Sequence, residues 1–321
     1  MSVRVGILST ARINRLVIVP ARASDKVEIT AVASRDPVRA AAYAREWGIP
    51  QAYGSYEELL ADPEIDAIYN PLPNSMHVEW SIRGLEAGKH VLCEKPLSRH
   101  PEDVERAFDV AEREGLLLTE AFMYRHNPQT ARVVELMRGG AVGEVRVVRA
   151  AFSFTITDEA NIRLAADLEG GALMDVGCYC VSGSRLIAGE PRRVYGTGVW
   201  ERGVDTIFTG TLEFAGDVIA QFDCGFRLPN RDELEVLGTE GSLFLDDPWH
   251  CRRPVIELRR DDAVEEIVLE PVDSYRLELE NLADTIRGEA EPLLDREESV
   301  AQARGIEALY RSAESGAAVS L

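Results

Sequence analysis

The run Val3-Arg4-Val5-Gly6-Ile7-Leu8-Ser9-Thr10-Ala11-Arg12-Ile13-Asn14 decides the fold. Its apolar first half, residues 3–8, reads as a buried strand, and the small residues that follow turn the chain straight into a helix. The alternation then repeats. Strands are expected at 28–34, 52–53, 67–70, 90–93 and 116–119, with helices at 37–47, 55–60, 76–87 and 101–114 between them. Strands alternating with helices imply a doubly wound parallel sheet, placed here over residues 1–121.

Beyond residue 121 the rhythm changes. A helix at 128–138 leads into long strand-like segments at 144–156, 193–200, 205–214, 217–226, 231–238, 242–245, 255–260 and 265–269. Several alternate apolar with polar residues, the period of a sheet with one covered face. Residues 122–321 therefore read as an α+β domain on a large, open, mainly antiparallel sheet. Helices near 174–186, 275–287 and 297–315 are expected to cover one face, leaving the other for a second subunit in a homo-oligomer.

The 321 residues carry a formal charge of -20, which argues against nucleic acid or an anionic membrane as partner. No apolar run approaches the roughly 18 to 20 residues that span a bilayer, and no basic-then-apolar leader precedes the first strand, so a cytoplasmic protein is expected. The cysteines, at 93, 178, 180, 224 and 251, follow no disulfide or metal-ligand spacing, so they read as reduced and structural, with no metal site.

A second run carries chemistry. Gly88-Lys89-His90-Val91-Leu92-Cys93-Glu94-Lys95-Pro96 ends an apolar strand in a turn that packing does not require. It puts the Lys95 ammonium at a strand's carboxyl end, where open α/β sheets bind ligands. At the first turn, Ser9-Thr10-Ala11-Arg12-Ile13 stands where a glycine-rich dinucleotide fingerprint is usual; its backbone N–H groups and helix dipole suit a pyrophosphate, or simply form a tight βα turn. The second strand runs out into Ser34-Arg35 before Asp36, and arginine suits a 2′-phosphate, favouring NADP with NAD possible. In Asn70-Pro71-Leu72-Pro73-Asn74-Ser75-Met76-His77, Asn74 reads as a helix cap and His77 as a helix-face residue, or both with Pro71 and Leu72 as cofactor contacts.

Together with Glu120-Ala121-Phe122-Met123-Tyr124-Arg125 and Gly170-Gly171-Ala172-Leu173-Met174-Asp175-Val176-Gly177-Cys178-Tyr179, these segments resemble the Gfo/Idh/MocA oxidoreductases. The likeness is to the branch with glucose-fructose oxidoreductase, NADP-dependent D-xylose dehydrogenase and dimeric dihydrodiol dehydrogenase. It implies an N-terminal Rossmann domain for the nicotinamide cofactor and a second domain for the substrate and the oligomer interface, as a homodimer or homotetramer. It implies Lys95 as the catalytic lysine, Glu94 as its structural neighbour, a cis Lys95-Pro96 peptide, and Asp175 and Tyr179 as partners on one helix face.

Moving a hydride between a carbinol carbon and nicotinamide requires a proton to leave or reach the oxygen. A tyrosine ionises near pH about 10, so Tyr179 needs a cation beside it, and Lys95 can be that cation. Asp175 orients the lysine or a sugar hydroxyl. By residue type alone, Tyr179 reads equally as a core aromatic and Asp175 as a helix-terminal carboxylate. Tyr124, Arg125 and Arg163 are candidate substrate contacts, or domain ties; Asp205 and Arg227 are fainter candidates. The expected function is sugar or polyol oxidation or reduction. The alternatives are redox-assisted glycoside cleavage and a catalytically silent cofactor sensor.

Overall fold

The computed structural model describes residues 2–321. The chain forms two compact units: one runs to His126 and includes Asp273–Val300, the other comprises Asn127–Val272 and Ala301–Leu321.

The first unit is built on six parallel strands, β1 (Val3–Leu8), β2 (Val27–Ala33), β3 (Gln51–Tyr53), β4 (Ala67–Asn70), β5 (His90–Glu94) and β6 (Leu118–Ala121). Their order is 3-2-1-4-5-6, so the winding reverses between β1 and β4 and opens a crevice at the carboxyl ends. Helices α1 (Arg15–Ala21), α2 (Pro37–Trp47), α3 (Tyr56–Leu60), α4 (His77–Glu86) and α5 (Pro101–Glu114) connect the strands. Coverage on both faces explains why β1 is apolar almost throughout, with Val5, Ile7 and Leu8 wholly buried. Close packing needs Gly84 in α4, where a Cβ would sit 2.5 Å from the Ile68 side chain on β4.

One expectation is corrected here. The helix Ser274–Ile286 does not cover the second sheet. Its Leu279, Leu282 and Ala283 share a core with Val3, Val5, Ile7, Val17 and Tyr69 of the first unit. An amphipathic stripe dictates that a helix buries a face but not against which sheet.

The second unit carries nine strands: β7 (Val145–Thr155), β8 (Arg193–Glu201), β9 (Val204–Glu213), β10 (Ile219–Gly225), β11 (Arg227–Gly238), β12 (Ser242–Asp246), β13 (Val255–Arg260), β14 (Ala263–Val268) and β15 (Val319–Ser320). The order is 14-13-12-11-7-10-9-8-15, antiparallel except for the central β7–β10 pair. Strand β11 begins earlier than expected because it continues through a bulge between Arg227 and Arg231, where Pro229 offers no N–H to the ladder. The terminal pairing of Val319 and Ser320 with β8 was not anticipated. Helices α6 (Pro128–Arg138) and α7 (Cys178–Ala188) belong to this unit. Val148, Ala150, Leu234 and Val236 are buried on one face, whereas Arg149, Gln221 and Glu235 line the other.

Asp205 on β9 anchors the covered face. Its carboxylate, 1% exposed, accepts hydrogen bonds from the Leu173 N–H at 2.7 Å and the Tyr310 hydroxyl at 2.8 Å. Gly171 must lack a side chain here, since a Cβ would lie 2.3 Å from the Asp205 carboxylate, and its φ of +131° suits glycine. Asp205 is thus structural and does not line a pocket. Burial, only partly offset by these bonds, raises its pKa from 3.8 to about 6. A raised carboxyl pKa means that the folded state holds its proton longer than the unfolded chain, so stability falls as pH rises through that window. The share is about 3 kcal/mol. We expect Asp205→Asn to remove that slope, its stability relative to wild type rising by about this amount between about pH 4 and pH 6 in denaturant melts. Parallel profiles for the two proteins would contradict the assignment.

Candidate active site

The carboxyl ends of β1, β2, β4 and β5 bring the predicted cofactor residues of the first unit to one sheet edge. At the first turn Ser9 has φ +127°, a conformation that favours glycine. Two local bonds hold it there: Asn14 Nδ2 donates to the Ser9 carbonyl at 2.9 Å, and the Ala11 N–H donates to Ser9 Oγ at 3.3 Å. The helix starts later than the sequence suggests, after a tight turn at Arg12–Asn14 that leaves Arg12 exposed and Thr10, Ala11 and Ile13 half-buried. Asn14, wholly buried, is a positioning residue that the sequence reading passed over.

At the end of β2 the acidic option closes. Asp36 caps α2, accepting from the N–H groups of Val38 at 2.9 Å and Arg39 at 3.3 Å. Arg35 is exposed beside it, and Ser34 is buried, with its hydroxyl accepting from the Asp36 N–H. The charges of Arg35 and Arg39 both reach Tyr56, so two guanidinium groups share this strand end.

The Glu94-Lys95-Pro96-Leu97 turn is held on both sides of the lysine. The Tyr69 hydroxyl donates to Glu94 Oε1 at 2.5 Å, and the Leu97 N–H donates to Glu120 Oε1 at 2.7 Å. The Lys95-Pro96 peptide is cis, as the resemblance implied. Between them, the His77 ring lies 2.8 Å from the Pro96 carbonyl through Nδ1 and 2.8 Å from the Leu72 carbonyl through Nε2. Lys95 itself is half-buried. Near Glu94 lies Glu278, 2% exposed, with neither carboxylate oxygen hydrogen-bonded; burial, then the charge of Glu94, pushes its pKa well up.

His77 is 1% exposed, with its two ring nitrogens facing backbone carbonyls. Burial pushes its pKa down to about 4 against the pull of those carbonyls. Asn74 does not cap the helix; it opens a tight turn, Asn74–Met76, whose end has no side-chain cap. Asn70 does the ordering instead, donating to the His77 carbonyl at 3.0 Å and to Ser81 Oγ at 3.2 Å. Pro71 and Leu72 are buried in the same loop.

Arg125 pairs with Glu298 at 2.8 Å within the same unit, tying β6's exit to the start of the last helix, and Tyr124 is 2% exposed. A lone Tyr-Arg pair after a strand carries no signal to distinguish a domain tie from a substrate contact.

In the second unit, Asp175 lies in a wide π-type turn, Leu173–Gly177, ahead of α7, and Tyr179 lies in the first turn of α7. The two residues stand four apart across the junction of the π turn and α7, where the pitch changes. Asp175 Oδ2 accepts from Arg163 Nε at 2.6 Å, so Arg163 and Asp175 are brought together as expected of neighbours in one site. The Arg163 guanidinium also lies 6.0 Å from the Phe154 ring centroid. Tyr179, 5% exposed, packs edge-on to Phe152 at 5.3 Å and against Trp249 at 6.1 Å. Trp249 is fixed by its indole N–H donating to the Ala151 carbonyl at 3.0 Å and by Gly183, which leaves room for its ring. Arg227 is structural, bridging Glu159, Glu201 and the Ile156 carbonyl. All five cysteines are buried and outside any disulfide.

Comparison with known proteins agrees over almost the whole chain. Residues 3–122 match an oxidoreductase family model described as an NAD-binding Rossmann fold, and residues 130–244 match the GFO/IDH/MocA C-terminal domain. The chain is 44% identical to D-xylose 1-dehydrogenase (NADP(+)) 2 of Haloferax volcanii, over 98% of this chain and 99% of that protein. A 3-ketoreductase from Actinomadura kijaniata, solved with NADP and TDP-benzene, superposes with a TM-score of 0.92 at 33% identity, covering 97% of this chain and 98% of that one. An aldose-aldose oxidoreductase from Caulobacter crescentus, solved with glycerol, gives 0.92 at 27% identity with complete coverage of both chains (100% each). A turn presenting a lysine at the edge of a 3-2-1-4-5-6 sheet, followed by an open antiparallel domain and matched by both family models, makes this chain a member of the Gfo/Idh/MocA family of oxidoreductases.

Proposed function

We propose that this protein is an NADP-dependent dehydrogenase or reductase acting on a sugar or related polyol. The observation that carries the reading is the Glu94-Lys95-Pro96-Leu97 turn, in which bonds to Tyr69, His77 and Glu120 fix the residues on both sides of a lysine at the ligand-binding edge. The 44% identity to an NADP-dependent xylose dehydrogenase over its full length supports it. The first-turn residues 9–13, with Ser34, Pro71, Leu72, Asn74 and Glu94, would hold the cofactor. Arg35 would meet a 2′-phosphate, a role favoured by the commitment of Asp36 to its helix cap. When bound, nicotinamide supplies a hydride acceptor or donor.

The chain's own contribution is proton handling. Tyr179 exchanges a proton with the substrate oxygen, Lys95 supplies positive charge at the cofactor edge, and Asp175, held by Arg163, orients a substrate hydroxyl. The open polar face of the nine-stranded sheet serves as the interface of a homodimer or homotetramer, and the enzyme works in the cytoplasm.

Lys95→Met and Tyr179→Phe are each expected to lower kcat for D-xylose oxidation by roughly 10²- to 10⁴-fold while NADP affinity, measured by fluorescence quenching, stays within a few-fold. Retained turnover in both variants would overturn the assigned residues. Arg35→Ala should weaken NADP binding by about tenfold and leave NAD binding unchanged. Equal losses for the two cofactors would remove Arg35 from the 2′-phosphate. Net NADPH formation from free sugars separates this function from glycoside cleavage, in which an aryl glycoside is split with no net change in cofactor.

A further inference from the structure

A cavity of about 490 Å³ opens in the second unit beside the Tyr179 cluster. Phe152 links the two: its ring lies 5.3 Å from that of Tyr179 and 5.4 Å from that of His250. Phe154, one strand step further, lines the same space. The cavity is therefore walled on one side by aromatic rings, in the size range of small-molecule sites.

Its polar wall comes from β11 at and just after its bulge and from the loop after β12. His250 Nδ1 lies 2.6 Å from Asp232 and 3.5 Å from Asp247. Asp232 is itself fixed by the Trp249 N–H at 3.1 Å, and Asp247 by the Arg252 N–H at 2.6 Å. No described residue hydrogen-bonds His250 Nε2. The ring is thus clamped at one nitrogen and offers the other.

The charges of the wall cancel. Arg252 pairs with Asp247, Arg253 with Asp246, and Arg231 with Glu233 and Asp223. With His250 on Asp232, each cation lining the cavity already has a carboxylate partner. A phosphate or pyrophosphate needs uncommitted cations, and none is provided. A hydroxyl both donates and accepts, and alternating carboxylate and cationic groups beside an aromatic wall serve such groups well.

We propose that His250, oriented by Asp232 and Asp247, is a specificity-determining residue that donates to a hydroxyl of an uncharged sugar, and that this cavity selects free sugars over phosphorylated or nucleotide-linked ones. The inference rests on the sugar oxidoreductase reading and names its substrate class. Burial alone would lower the His250 pKa, and Arg252 opposes the charge, but the bonds to Asp232 and Asp247 prevail and hold it at about 9. The donor therefore persists across neutral pH.

The test is calorimetric binding of D-xylose to the NADP-loaded full-length protein, with steady-state kinetics alongside. His250→Gln should weaken D-xylose binding and raise KM about tenfold, leaving kcat and NADP affinity within about twofold. In wild type, KM should climb above about pH 9, as Nε2 loses its claim to a fixed proton, and this rise should be absent from the variant. Asn230, an exposed residue of the cavity rim, has no hydrogen bond in the fold to lose. Asn230→Ala should weaken binding several-fold with an unchanged melting temperature, and it carries the test should His250→Gln lose cooperative melting. Unchanged D-xylose binding in the folded variants, no binding to wild type, or tighter binding of TDP-glucose than of free sugar would overturn the proposal. Binding of D-xylose that depends on His250 but yields no NADPH would uphold the cavity's role and overturn the dehydrogenase reading instead.

Discussion

The structure of the first unit's ligand edge depends on one buried imidazole. His77 bridges the carbonyls of Leu72 and Pro96 and so fastens the loop after β4 to the turn after β5. Neither loop has a regular ladder to order it at these positions. A buried carbonyl without a partner costs on the order of 1 to 3 kcal/mol, and the N–H of the neutral ring satisfies one of the two while the ring packs between both turns. Around this bridge, Asn70 orders the first loop, and Tyr69 and Glu120 grip the second. These contacts fix the chain immediately before and after Lys95.

The second unit solves a parallel problem with aromatic packing and a change of helix type. Asp205 holds the Gly171–Leu173 segment, and the wide turn at Leu173–Gly177 then delivers Asp175 and Tyr179 from successive turns of different pitch. Phe152 and Trp249 brace the Tyr179 ring. Pre-organisation of this kind is what a proton-transfer site requires, since side chains that must be ordered during the reaction add their entropy to the barrier. The same Phe152 ring adjoins the charge-balanced wall around His250, so the proposed substrate wall and the proposed proton-transfer tyrosine share a support.

Much of this was legible in the residues. The strand-helix alternation, with its apolar two-face-buried strands, led directly to the parallel sheet, and most strand ends fell within two residues of the observed ones. The Glu94-Lys95-Pro96 turn stood out because a charged residue at a strand exit has no packing cause. Other features were not legible for physical reasons. The stripe of Leu279, Leu282 and Ala283 looks the same whichever sheet it covers. The roles of His77 and Arg125 depend on partners distant in sequence, Pro96 and Glu298, and a lone residue type does not reveal them. The π turn at Leu173–Gly177 has no sequence period of its own, and Asp232, Asp247 and His250 converge only through a bulge and a loop.

This chain moves a hydride between NADP and a sugar or polyol carbon. The most direct test is incubation with NADP and D-xylose deuterated at C1, followed by NMR of the recovered nicotinamide. The account predicts deuterium at C4 of the reduced ring in stoichiometric amount. Reduced cofactor without the label, or no reduction with any free sugar, would contradict it.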